Sequence, residues 1–123
     1  MNLSGLPEPL RRRAEELDSR PPLLEVRDFL GGYLADAVSL DEVQRDLRTT
    51  AAVSVRALRR FLHAFDAFMA EPHPEGLLAH IVAWDANWVL DDPSDAGAEA
   101  FLRQVAQMVR AVIEEATGQR PST

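Results

Sequence analysis

The sequence predicts an all-α fold, a single-domain bundle of five or six helices. Apolar residues recur at alternating steps of three and four along most of the chain, helix start and stop signals fall at the ends of those runs, and no stretch alternates as a strand does. The period is clearest over residues 51–69. There Val55, Leu58, Leu62, Phe65 and Met69 share one face, Phe61 and Phe68 widen it, and Arg56, Arg59, Arg60 and Asp66 fall between. So heavy an aromatic load predicts a helix through the middle of the domain with others packed on it.

The remaining elements follow in order. Residues 1–7 read as a loose leader, 8–118 as the helical domain and 119–123 as a frayed tail. Pro9 suits a first helical turn, and Leu10, Ala14 and Leu17 make a short stripe ending before Pro21-Pro22. Arg11, Arg12 and Arg13 read as a solvated face beside Glu15, Glu16 and Asp18. Pro22 starts a second helix bearing Leu23, Val26, Leu30, Tyr33 and Leu34. Gly31-Gly32 lies inside that period at a cost of about 1 kcal/mol per glycine, and the expected reason is close approach of another helix rather than a break. Ser39 and Glu42 form a capping box for a short helix that turns Leu40, Val43 and Leu47 inward. Thr49 or Thr50 is expected to cap the helix after it.

Pro72 and Pro74 end the central helix, with His73 on a turn. A further helix is expected from Glu75 through Leu77, Leu78, Ile81, Val82 and Trp84, fading around Asn87, with Val89-Leu90 extended. Ser94 or Asp95 caps the last helix, whose stripe is Ala98, Phe101, Leu102, Val105, Met108, Val109, Val112 and Ala116, and Gly118 stops it.

A chain of 123 residues fits one domain and buries roughly two-thirds of its unfolded surface without staples. The absence of cysteine excludes a disulfide framework, a thiolate metal site and a cysteine nucleophile, and fits a cytoplasmic location. No signal peptide is read, and no run of about 18 apolar residues predicts a membrane span. All 13 basic residues are arginine, yet the net charge is −7, which argues against broad nucleic-acid binding. The imbalance is local. Residues 71–99 carry Glu71, Glu75, Asp85, Asp91, Asp92, Asp95 and Glu99 and no Lys or Arg.

No catalytic signature is present: there is no Gly-x-Ser-x-Gly elbow, no phosphate-binding glycine loop and nothing that marks one carboxylate as an acid or base. His63, His73 and His80 lack the spacing of a metal site, and Asp91, Asp92 and Asp95 lack the pattern of a calcium loop, so no metal or cofactor is expected. Those aspartates read as caps and favourable charge at the start of the last helix. Two binding readings remain. Residues 39–62 could form a helix-turn-helix with Arg56, Arg59 and Arg60 in a major groove, as in a small transcriptional regulator. Trp84 and Trp88, four apart in the acidic segment, would share a helix face and serve as core or as anchors for a basic protein.

Two stretches resemble a known family. Phe29-Leu30-Gly31-Gly32-Tyr33-Leu34 resembles the Phe-Leu-Gly-x-Tyr-Phe opening of small bacterial immunity proteins of contact-dependent growth inhibition systems. Ala98-Glu99-Ala100-Phe101-Leu102-Arg103-Gln104-Val105 resembles that family's last helix, which follows an acidic, glycine-containing loop. Where the family continues with His-Gln-Asp and an aromatic, this chain has Ala35-Asp36-Ala37-Val38. The resemblance implies a cytoplasmic antitoxin without catalytic activity. Its partner would be a cognate toxin domain, often a nuclease, which it binds and occludes. An acidic partner suits a basic nuclease because it mimics phosphates. On that reading Trp84, Asp85, Trp88, Asp91 and Asp92 form the heart of the interface, with Tyr33 and Asp36 as lesser candidates.

Overall fold

A computed structural model describes residues 21–118. The helix expected over residues 9–17, the leader, the tail and Arg11 to Arg13 lie outside the described residues. Among those described, every regular element is helical. These are α1 (Pro22–Tyr33), α2 (Leu40–Val53), α3 (Arg56–Met69), a short α4 (Leu77–His80) that runs directly into a π-type turn (Ile81–Asp85), and α5 (Asp95–Thr117).

One apolar core joins them. Val26, Phe29 and Leu30 come from α1, Val43 and Leu47 from α2, Leu58, Phe61, Phe65 and Phe68 from α3, and Ala98, Phe101, Leu102, Val105, Val109 and Val112 from α5. Phe29 stacks on Phe61 with ring centroids 3.8 Å apart, and Phe61 lies 5.8 Å from Phe65. These rings lock α1 onto α3. No buried side-chain polar atom is left without a partner among the described residues.

Several local expectations change. The deep line of α3 is Leu58, Phe61, Phe65 and Phe68, while Val55, Leu62 and Met69 are only half-buried at its edge. Its opposite face, with Arg56, Arg59, Arg60, His63 and Asp66, is exposed. The element at the centre is therefore α5, which packs against α2, α3 and α4. Along α5 the expected Ala116 is exposed and Met108 half-buried, whereas Ala106 and Ile113 are buried. A helix touched from several sides buries more than one stripe.

The turn between α2 and α3 also moves. Ser39 caps α2, its Oγ accepting from the Glu42 N–H at 3.2 Å. The helix then continues through Thr49 and Thr50 to Val53. Thr49 Oγ1 donates back to the Arg45 carbonyl at 3.1 Å, and Thr50 Oγ1 lies 2.8 Å from the Tyr33 hydroxyl. Lying inside α2, neither threonine caps α3. The N-cap position falls on Val55, which makes no side-chain cap bond; Ser54, one residue earlier, accepts from the Arg56 N–H at 3.2 Å.

Gly31-Gly32 neither breaks α1 nor admits a tight neighbour. The helix runs to Tyr33. A Cβ on Gly31 would meet only the Asp85 carbonyl at 3.9 Å, and one on Gly32 would meet nothing within 4 Å. The close approach occurs at Gly97, where a Cβ would overlap the Asp92 backbone carbonyl.

Candidate functional site

The acidic segment begins after α3. Phe68 and His73 stack at 4.0 Å, and the His73 Nε2 donates to the Phe68 carbonyl at 2.6 Å, closing the end of that helix before Pro74. Gly76, at φ +89, turns the chain into α4. This left-handed position is one that a Cβ resists, and it delays the helix to Leu77 rather than Glu75.

Asp95 does not cap its own helix. Its Oδ2 accepts from the Gly76 N–H at 2.6 Å and its Oδ1 from the Ala79 N–H at 2.9 Å, so it caps α4 from across the fold. Those two amides, Ala79 first, hold its carboxyl below the usual carboxylate range. Ser94 caps α5, accepting from the Gly97 N–H at 3.3 Å. Asp92 accepts from the Ser94 hydroxyl at 2.7 Å and the Ser94 N–H at 3.1 Å, and those bonds, the hydroxyl first, lower its carboxyl too. The carboxylates thus hold the loop 91–95 against two helix ends.

The π-type turn decides where the tryptophans go. The Ala86 N–H reaches the Ile81 carbonyl at 3.1 Å and the Trp88 N–H reaches the Val82 carbonyl at 3.1 Å, both wider than an α-helical bond. Asn87 then takes φ +52, and its Nδ2 donates to the Ala35 carbonyl at 3.2 Å. The helical frame ends before Trp88. Trp84 and Trp88 therefore do not share a face. Trp84 is 74 % exposed, with its ring near His80 at 5.8 Å. Trp88 is half-buried on Phe101 at 5.5 Å and belongs to the rim of the core.

The remaining candidates separate in the same way. Asp85 pairs with Arg27 Nε at 3.1 Å and is only 18 % exposed, so it ties the π-type turn to α1. Tyr33 is half-buried, ties α1 to α2 through Thr50 and lies 4.8 Å from Phe29. Asp36, Asp91 and Asp92 are exposed. Asp36 follows the Ala35 carbonyl that Asn87 holds, so the loops 34–39 and 87–93 meet at one end of the bundle.

Two residues that the sequence did not single out lie there. Val38 is 87 % exposed and Val89 is 96 % exposed. With Ala37, Asn87 and Trp88 they line a cleft of about 260 Å³. On the other side of Trp88-Val89, Ala79, Val82, Ala83, Leu90, Pro93 and Ala98 wall an apolar pocket of about 150 Å³. Nothing in the local pattern marks either valine, because the fold alone decides whether an isolated apolar loop residue ends up inside or outside the core. Among the described residues no group of three or more His, Asp or Glu is placed to hold a metal ion. No described helix is long and apolar enough to cross a membrane.

Fold and surface together define a small all-α domain with an acidic, partly apolar end. The chain matches no family model, no curated protein and no solved structure.

Proposed function

We propose that this chain is an immunity protein of a contact-dependent growth inhibition system, acting in the cytoplasm. It binds the toxic C-terminal domain of a delivered effector, a basic nuclease, and occludes it without chemistry of its own. The observation that carries this reading is Trp84. A tryptophan held 74 % exposed in a segment with no Lys or Arg between Glu71 and Glu99 is unspent apolar surface in a negative field. Aromatic anchors supply much of the affinity at protein interfaces, and complementary charge speeds encounter. The presence of both resembling stretches, Phe29-Leu30-Gly31-Gly32-Tyr33-Leu34 and Ala98 to Val105, in the same order supports the family reading. On this reading Trp84, Asp91 and Asp36 face the partner, Trp88 and Asp92 shape the surface from behind, and Asp85 and Tyr33 hold it in place.

The helix-turn-helix regulator is less well supported. In this fold α2 packs on α5 and α3 chiefly on α1, so the two helices do not brace each other as a reading head would need.

The test is co-expression with the C-terminal domain of any large secreted protein that a neighbouring reading frame encodes. Wild-type protein is expected to restore growth and to co-purify with that domain. Trp84→Ala combined with Asp91→Arg is expected to lose both while keeping its helical circular dichroism and melting temperature. Absence of rescue and of any complex with wild type, or salt-sensitive DNA binding abolished by Arg59→Ala, would overturn the reading.

A further inference from the structure

We propose that the end of the bundle where the loops 34–39 and 87–93 meet is a seat for a protein segment presenting one aliphatic or aromatic side chain flanked by arginines or lysines. The inference rests on the binding-protein reading above and specifies the chemistry of what binds.

The seat has an apolar half and a polar half. Val38 and Val89 stand almost fully out of the core on opposite loops, yet they line the same cleft with Ala37 and Trp88. Behind Val89 the second pocket is walled by apolar residues, and its volume of about 150 Å³ suits a single leucine-to-phenylalanine side chain. The two recesses share Trp88 and Val89 as their common wall. The wall is fixed from below: Trp88 rests on Phe101, and the Asn87 amide pins the loop to the Ala35 carbonyl. A surface held this way loses little freedom on binding.

The polar half is charge complementarity. Neither loop carries a cation: there is no Lys or Arg from Asp28 to Gln44 or from Glu71 to Glu99. Asp36 adjoins the cleft on one loop, and Asp91 follows the pocket residue Leu90 on the other, both exposed. Asp92 is occupied with Ser94, and Asp85 with Arg27, so Asp36 and Asp91 are the carboxylates placed to meet incoming cations. The same field excludes other occupants. A second copy would bring its own aspartates against these, and a nucleic acid or an anionic membrane would be repelled.

The test titrates the isotope-labelled full chain with three capped pentapeptides followed by NMR: Arg-Arg-Leu-Arg-Arg, Arg-Arg-Ser-Arg-Arg and Glu-Glu-Leu-Glu-Glu. The leucine–arginine peptide is expected to shift the amides of residues 36–38 and 87–91 and to bind at least about fivefold more tightly than either control. Val89→Ser and Asp91→Asn, both at exposed positions, are each expected to weaken it by about fivefold without changing the remaining spectrum. Equal binding of the serine peptide, shifts centred elsewhere, or no binding of the leucine–arginine peptide would overturn the seat. The two proposals fail separately. Rescue in cells without peptide binding removes the seat and leaves the immunity function, whereas peptide binding at these residues without rescue removes that function and leaves the seat.

Discussion

Gly97 and Gly32 are both helical glycines, and their surroundings give them opposite roles. The first turn of α5 lies against the backbone of Asp92, and a Cβ on Gly97 would also come within 2.7 Å of the Asp92 Cγ. Gly97→Ala must push the 91–94 loop off the helix and is expected to cost about 1–3 kcal/mol. Gly32 sits inside α1 facing open space. Gly32→Ala removes only backbone entropy from the unfolded chain and is expected to add about 0.5–1 kcal/mol. Urea unfolding of the two variants beside wild type separates them by sign. Asp95 supplies a pH prediction at the same scale. Its amide bonds lower its folded-state pKa beneath the ordinary 3.8, so its contribution is fully present above that value. It is lost as pH falls through the lower, folded-state value. Asp95→Asn is expected to melt earlier than wild type at neutral pH and to show a flatter dependence of melting temperature on pH below about 4. A parallel dependence in both proteins would show that the cap of α4 contributes nothing.

Between residues and the whole fold, the segment from α4 to Trp88 is where an element changes its own meaning. An uninterrupted α-helix would carry Trp84 and Trp88 on one side. The wider hydrogen bonds at Ile81 and Val82 and the left-handed Asn87 end that frame, leaving one indole in solvent and the other on Phe101. The substitutions should therefore diverge. Trp84→Ala is expected to alter stability by no more than about 0.5 kcal/mol. Trp88→Ala opens a gap above Phe101 and is expected to cost about 2–4 kcal/mol. Thermal or urea unfolding decides between them, and equal losses would contradict the divided roles. The α2–α3 corner shows the same dependence on context. Thr49-Thr50 has the composition of a cap, but the Tyr33 hydroxyl engages Thr50 and α2 continues to Val53, so the N-cap of α3 moves to Val55, with Ser54 accepting from the Arg56 N–H.

Across the described residues, the ion pairs between helices and the aspartates of loops 34–39 and 87–93 lie on different elements. The ion pairs Arg110–Asp66 at 3.0 Å and Arg48–Glu115 at 3.3 Å join α3 and α2 to α5. They are exposed enough to contribute at most about 1 kcal/mol each. The loops 34–39 and 87–93 have aspartates as their only charged residues. Association with a basic partner is expected to slow about tenfold between low and high salt, with a much smaller change in the dissociation rate. Stopped-flow measurement of both rates checks this, and a salt-independent association rate would remove charge from the account of recognition.

The helical class, the Ser39 cap, the stop at Gly118 and most of the core on α3 and α5 were legible along the chain. They depend on contacts within one helical turn or on a period that any partner surface would satisfy. The partners themselves depend on residues far apart in sequence. Asp95 reads as a cap for its own helix until α4 brings Gly76 and Ala79 against it. Val38 and Val89 carry no local signal, and only the path of two loops places them outside the core. The glycines at 31 and 32 signal close packing by composition, but the close approach belongs to Gly97, because only the path of the loop before α5 brings a backbone that near. Local periodicity specifies which residues turn inward. Which surfaces meet, and which apolar side chains are left over for a partner, is set by how the helices pack.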